Sequence, residues 1–238
     1  MSESQASSRH CCFRPVTHCI FELDGLLLDS ERLYTNAVQK ILDPFGHTYS
    51  FDLKLRCMGS STAEAAGLII DSFQLPISRT QFQRLHKLHS REHLSSVGLM
   101  PGVERLLRHL QSCNVPMAIE TCGNRELYDL KVRPHSQLFG VFHHAVVGSS
   151  DSEVKQCKPA PDIFLLAAAR FSEDPPAKPE NCLAFEFSLL GMQAALAAGM
   201  QVVLVPDPLL SIRLSAPATL RLRSLEAFRP QYFGLPPF

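Results

Sequence analysis

Four short stretches of this 238-residue chain hold the side chains best suited to chemistry, and each adjoins an apolar run. Glu22-Leu23-Asp24-Gly25 follows His18-Cys19-Ile20-Phe21, and Glu120-Thr121-Cys122-Gly123-Asn124 follows Pro116-Met117-Ala118-Ile119. Lys158-Pro159 stands ahead of an apolar helical pattern, and Glu186-Phe187-Ser188 follows Cys182-Leu183-Ala184-Phe185. Carboxylates, a hydroxyl and a lysine suit Mg²⁺-assisted phosphate chemistry, in which the ion takes one or two carboxylates plus phosphate oxygens. Each stretch taken alone is explained as a strand end reaching solvent. Four together favour a shared site, because open α/β sheets bind ligands at the carboxyl ends of their strands.

The elements that must position these residues are legible in the hydrophobic pattern. The runs at His18, Pro116, Ala145, Cys182 and Val202 are apolar on both faces, as central strands of a parallel sheet are. Helical patterns lie between them. Val103, Leu106, Leu107 and Leu110 follow the start signal Pro101-Gly102; Ala160-Pro161-Asp162 opens a helix through Ile163; Gly191 to Ala198 is closed by Gly199. The pattern predicts an α/β, Rossmann-like, doubly wound parallel sheet. Nearly a hundred residues separate the first two strands, and that stretch holds helical patterns such as Ala63–Phe73 and Ser78–His93. It is therefore expected to be an inserted helical cap over 31–99. The core domain is expected over 16–30 and 100–238, behind a disordered tail at 1–15, and Leu220–Phe228 reads as a short amphipathic stretch.

Composition narrows the function classes. The 23 basic and 23 acidic residues balance, without the basic stripe of a general nucleic-acid binder. The eight cysteines are scattered with no C-x-x-C pair, pointing to free thiols in a reducing compartment. Residues 1–14 lack the apolar stretch of a secretory signal, and the Cys11-Cys12 pair has no second membrane signal beside it. The uncharged run Phe187–Pro206 is broken at Gly199, which favours a buried helix and strand over a membrane span. The expectation is a soluble, cytoplasmic monomer without nucleic-acid or membrane partners. His86, His89 and His93 share a helix face with no companion ligand and read as solvated surface.

The segment Phe21-Glu22-Leu23-Asp24-Gly25 through Asp29-Ser30-Glu31 resembles the first motif of the haloacid dehalogenase-like hydrolases. The later motifs follow in that family's order: Thr121 after a strand, Lys158-Pro159-Ala160-Pro161-Asp162, then Glu186 before Gly191 and Ala197-Ala198-Gly199-Met200. The resemblance narrows toward a branch that acts on pseudouridine 5′-phosphate, through cap segments ending at Ala66 and Pro76 and the ending Phe233-Gly234-Leu235-Pro236. It implies catalytic roles for Glu22, Asp24, Thr121 and Lys158, phosphate binding by Thr121, Cys122 and Lys158, and Mg²⁺ ligation through Glu22, Asp24 and Glu186. The implied partner is a small phosphorylated metabolite such as pseudouridine 5′-phosphate.

Two departures bear on that chemistry. The family places aspartate nucleophiles at position 22 and an acidic metal ligand at position 187; here these are Glu22 and Phe187. One extra methylene moves a carboxylate by up to about 1.5 Å unless the side chain folds back, and a misplacement near 1 Å can cost about 10²-fold. The cap loop Met58-Gly59-Ser60-Ser61 lacks the basic residue that relatives carry there, and Glu120 is expected to point away from Thr121's face as a partly solvated residue. Three readings stay open: a degenerate phosphatase, a working Mg²⁺-dependent phosphatase using Glu22, and a non-catalytic binding or regulatory protein.

Overall fold

The computed structural model describes residues 13–171 and 177–238. In chain order, β1 (His18–Glu22) leads into four helices, α1 (Glu31–Leu42), α2 (Phe51–Cys57), α3 (Thr62–Phe73) and α4 (Arg79–Leu94). Next come α5 (Val103–Ser112), β2 (Met117–Thr121), α6 (Arg125–Val132), the short α7 (Ser136–Phe139), β3 (His144–Val147) and α8 (Asp162–Ala169). The chain ends with β4 (Cys182–Glu186), α9 (Leu189–Ala197), β5 (Gln201–Leu204), α10 (Ile212–Ser215) and β6 (Leu220–Arg221). The strands form one parallel sheet in the order β3-β2-β1-β4-β5-β6, with β1 at its centre. This is the Rossmann-like doubly wound sheet that the sequence pattern predicts.

Strand alternation divides the interior into two apolar layers. Cys19, Phe21, Ile119, Phe185 and Val203 face α5, whose Val103, Leu106, Leu107 and Leu110 are all buried. Ile20, Ala118, Ala184 and Val202 face α8 and α9, where Ala167, Ala194 and Ala195 allow close approach. The helices α1 to α4 carry a third apolar cluster of their own, including Ile41, Leu53, Ile69 and Phe82. Ser61 with Glu64 and Ser78 with Gln81 close reciprocal capping boxes at the starts of α3 and α4.

Three expectations are corrected here. The stretch read as amphipathic is not one element: Leu220–Arg221 is a sixth strand paired with β5, and Leu225–Ala227 is a single 3₁₀ turn. Leu225 and Phe228 are instead buried as anchors of an irregular segment. Of the expected tail, residues 1–12 lie outside the described residues, while Phe13 already stacks on Phe233 at 4.7 Å and donates to the Tyr232 carbonyl. His86 is buried rather than solvated, because its place one turn after Phe82 turns it onto Tyr34, 5.4 Å away. No helix among the described residues is long and apolar enough to cross a membrane.

The C-terminal segment is tied to the sheet by rings. Phe21 stacks on Phe185 at 4.4 Å, Phe185 meets Phe228 edge-on at 5.0 Å, and Phe228 stacks on Phe233 at 5.8 Å. Because Phe228 is fully buried between two of them, Phe228→Ala is expected to cost about 3–5 kcal/mol of stability. A urea titration checks this; a loss under 1 kcal/mol would show that the ring chain does not hold the C-terminal segment.

Candidate functional site

The site grows from one row of the sheet. Glu22 is the register partner of Glu120, and Phe21 that of Phe185, so Glu22, Glu120 and Glu186 lie at the same level and on the same face near the ends of three adjacent parallel strands. Parallel neighbours lie about 4.8 Å apart, and one oxygen from each carboxylate falls within 4.8 Å of the others. Lys158, in the loop before α8, is the counter-ion. Its ammonium donates to Glu22 Oε2, to Glu120 Oε1 at 2.7 Å and to Glu186 Oε1 at 2.6 Å. An ammonium has three protons, and all three are used.

The remaining carboxylate oxygens turn back onto the backbone. Glu22 Oε1 accepts from the amides of Leu23 at 2.8 Å and Asp24 at 3.2 Å. Glu186 Oε2 accepts from the amides of Phe187 and Ser188 at 2.7 and 2.9 Å, at the start of α9. Glu120 Oε2 is buried with no hydrogen-bond partner among the described residues. Burial pushes Glu120 well above the usual carboxylate range, with the Glu22 charge adding to it, and burial raises Glu22 as well against the pull of Lys158. For Lys158 burial acts downward, but the three carboxylates outweigh it and hold the ammonium well above its ordinary value. Glu120 is thus fully buried and ion-paired, not partly solvated. Alternation does turn it from Thr121's face, but that is the face of Glu22 and Glu186.

A second cation, missed in the sequence, holds Asp24. Lys131 of α6 lies 2.6 Å from both Asp24 carboxylate oxygens and 3.2 Å from the Tyr34 hydroxyl. Asp24 also accepts from Ser30 at 2.6 Å and Thr121 at 3.2 Å. Burial alone raises an acid, but Lys131 and these donors bring Asp24 below the usual carboxylate range. The signal was present: Lys131 sits four residues after Leu127, and these are the two buried residues of α6.

These residues do not fit a magnesium ion. The expected ligand set joined Asp24 to Glu22 and Glu186, yet the structure gathers Glu22, Glu120 and Glu186 around an ammonium, while Asp24 is spent on Lys131. At the position of the missing acidic ligand, the Phe187 ring lies over Gly25 so closely that a Cβ there would come within 2.5 Å of it. Near-octahedral oxygen ligation needs free carboxylate lone pairs, and the ring supplies none.

Above the row, α1 to α4 roof a cavity of about 120 Å³ lined by Glu22, Asp24, Thr121 and Cys122 below and by Glu31, Tyr49, Lys54 and Ser60 above. Of the expected phosphate ligands, Thr121 and Cys122 reach this cavity, and Thr121 gives its hydroxyl proton to Asp24. Ser60 bonds the Cys57 carbonyl at the end of α2, whereas Lys54, also missed in the sequence, brings a cation to the roof and pairs with Asp207 of the core at 3.1 Å.

Residues 19–205 match the pattern of the haloacid dehalogenase-like hydrolase family. The chain is 48% identical to a probable pseudouridine-5′-phosphatase of Drosophila melanogaster, covering 94% of this chain and 96% of that one. It is 42% identical to (DL)-glycerol-3-phosphatase 2 of Arabidopsis thaliana, covering 94% and 93%. In three dimensions it is similar to a β-phosphoglucomutase of Clostridium difficile, with a TM-score of 0.75 at 20% identity over 91% and 95% of the two chains; at that identity the likeness concerns the fold.

Glu31 provides a pH test of the cavity's electrostatics. Burial, reinforced by the Asp24 charge, pushes its carboxyl up to about 7. Between about 4.5 and 7 the folded state therefore holds a proton that the unfolded chain has released, so this group's contribution to stability falls as pH rises through that window. Buried His86, lowered to about 4, works in the opposite sense, so the difference between proteins is the informative quantity. Relative to the unmodified chain, Glu31→Gln is expected to gain stability from pH 5 to about pH 7 and to level off above it in urea titrations. A difference that does not change with pH would contradict the raised carboxyl.

Proposed function

The chain belongs to the haloacid dehalogenase-like hydrolase family, and we propose that it is a pseudouridine-5′-phosphatase-like member that keeps the roofed pocket for a small phosphorylated metabolite but has lost ordinary turnover. One observation carries this reading: the Lys158 ammonium spends all three protons on Glu22, Glu120 and Glu186. Phosphoryl transfer needs a free carboxylate oxygen in line with phosphorus and donors aimed at the oxygens that gain charge. By resemblance Glu22 stands in the nucleophile's place, but its two oxygens are held by Lys158 and by the Leu23 and Asp24 amides. Thr121 is likewise committed to Asp24.

The substrate class follows from the relatives. One is a probable pseudouridine-5′-phosphatase and another a glycerol-3-phosphatase, so the pocket's ligand is a small phosphate monoester, with pseudouridine 5′-phosphate the first to try. Mg²⁺ binding, which the family resemblance implies, is on this reading far weaker than in a member with an acid at position 187. Six free cysteines among the described residues support a reducing, cytoplasmic setting, and the protein is taken to be a monomer.

Repair of the chemistry is the test. Glu22→Asp shortens the nucleophile, Glu120→Ala returns one Lys158 proton to the site, and Phe187→Asp restores a ligand. The three together are expected to give measurable Mg²⁺-dependent hydrolysis of a small generic phosphate ester, while each alone does little, because groups acting in one transition state are far from additive. A well-folded triple variant that binds Mg²⁺ and stays inactive would refute the proposal. So would an unmodified protein turning over at ordinary rates of about 1–10³ s⁻¹, since Glu22 would then be a competent nucleophile.

A further inference from the structure

One side chain on the roof of the cavity has its polar atoms unused. His86 of α4 is 8% exposed and lines the cavity, yet neither ring nitrogen has a hydrogen-bond partner among the described residues. Its ring is held by two others: Tyr34 of α1 stacks on it at 5.4 Å and Phe82, one turn earlier on α4, at 6.5 Å. Several neighbouring polar groups are already engaged. Thr35 Oγ1 donates to the Glu31 carbonyl at 2.8 Å, Ser60 Oγ to the Cys57 carbonyl at 2.7 Å, and Lys54 pairs with Asp207. Tyr34 also locates His86 relative to the strand ends. Its hydroxyl meets Lys131, which holds Asp24, while its ring meets His86. One tyrosine side chain thus separates His86 from the Asp24 end of the cavity.

We propose that His86 is a specificity-determining residue of this pocket: its imidazole hydrogen-bonds a flat heterocycle bearing N–H and C=O groups, so the pocket favours a nucleoside monophosphate over a glycerol phosphate. The inference rests on the reading of the cavity as a phosphate-ester pocket and adds the residue that tells one ester from another. The phosphate belongs at the strand ends, with Thr121 and the backbone beyond Glu22, and the organic group extends under the roof toward α4.

The surroundings suit a ring better than a second charge. Burial brings the His86 imidazole down to about 4, so it is uncharged at neutral pH and exerts no pull on a phosphate. An uncharged imidazole carries one N–H donor and one acceptor nitrogen. Whichever of the two meets the ligand, the edge of a pyrimidine offers its complement. Val38, Ile69 and Phe82 line the same cavity, giving apolar surface on which a flat ring packs and which a glycerol chain would leave uncovered. A site that hydrogen-bonds one ligand rejects another that leaves its buried polar atom unpaired. His86 meets that condition, because no protein group satisfies it in the ligand's place.

The test is binding, not turnover. Titration calorimetry on the full chain at pH 7, with divalent ions removed, compares pseudouridine 5′-phosphate, ribose 5-phosphate and glycerol 3-phosphate. His86→Phe keeps a flat ring between Tyr34 and Phe82 but deletes both nitrogens, and His86→Gln keeps a donor and an acceptor without the ring. The unmodified chain is expected to bind the nucleotide most tightly. His86→Phe is expected to weaken the nucleotide about tenfold while leaving the other two esters within about twofold, and His86→Gln to recover part of the loss. The inference is overturned if His86→Phe binds the nucleotide as the unmodified chain does, or if it weakens all three esters equally, which marks a purely structural role. It is equally overturned if the unmodified chain prefers glycerol 3-phosphate, although the pocket reading then survives. Binding of none of the three esters would overturn the pocket reading itself, and this inference with it.

Discussion

Everything at the rim of this sheet depends on one crowding problem: three glutamates in adjacent strands at one level, with a single ammonium between them. Carboxylates that close cannot all ionise in a buried site without a cation. Lys158 is therefore held in place by Coulomb attraction to all three carboxylates. Removing a partner from such a cluster leaves an uncompensated buried charge, at a typical cost of about 3–5 kcal/mol. Lys158 thus joins Glu22 and Glu186 into one buried ion cluster, and Glu120 completes it. Lys131 and Asp24 repeat the pattern next door, sealed by Ser30, Tyr34 and Thr121.

The neighbouring backbone is shaped around this cluster. Gly191 is required because a Cβ there would lie 1.7 Å from Glu186 Oε1. That close approach lets the carboxylate rest against the amides of Phe187 and Ser188 just ahead of α9, near the end where the helix dipole favours negative charge. Gly25, at φ +78°, meets the Phe187 ring in the space where a larger residue would collide. Phe187 itself belongs to the apolar layer facing α5. A ring at this position thus serves packing, and its presence at the strand end needs no catalytic explanation.

Much of the fold was legible because burial writes itself into short apolar runs and helical spacing. Five strands came from runs apolar on both faces, and the structure extends each of them to a flanking residue: Glu22, Thr121, His144, Glu186 and Gln201. The two-residue β6 left no such run, and only its pairing with β5 defines it. The site was legible as a list of residue types but not as an arrangement. Register placed Glu120 beside Glu22, and register between strands a hundred residues apart is not a local property of sequence. Lys131 and His86 were obscured for a related reason. Each is polar, and only its spacing of four from a buried Leu127 or Phe82 marks it as inward-facing.

The roof is fastened separately from the chemistry, and this bears on what the molecule can still do. Lys54 and Asp207 pair across the cavity's edge at 16% exposure each, whereas Lys87 and Arg91 meet Glu126 on open surface. Exposed pairs contribute little, typically under about 1 kcal/mol, so the sheltered Lys54–Asp207 contact is the more effective clasp. Gly59 rests against Ser188, the residue that caps α9 beside Glu186. None of these contacts uses Glu22, Phe187 or Lys158. A pocket roofed in this way is independent of whether phosphorus is ever attacked beneath it. On the proposed reading, loss of transfer chemistry leaves recognition of a small ligand untouched, and binding and turnover come apart at the ion cluster rather than at the fold.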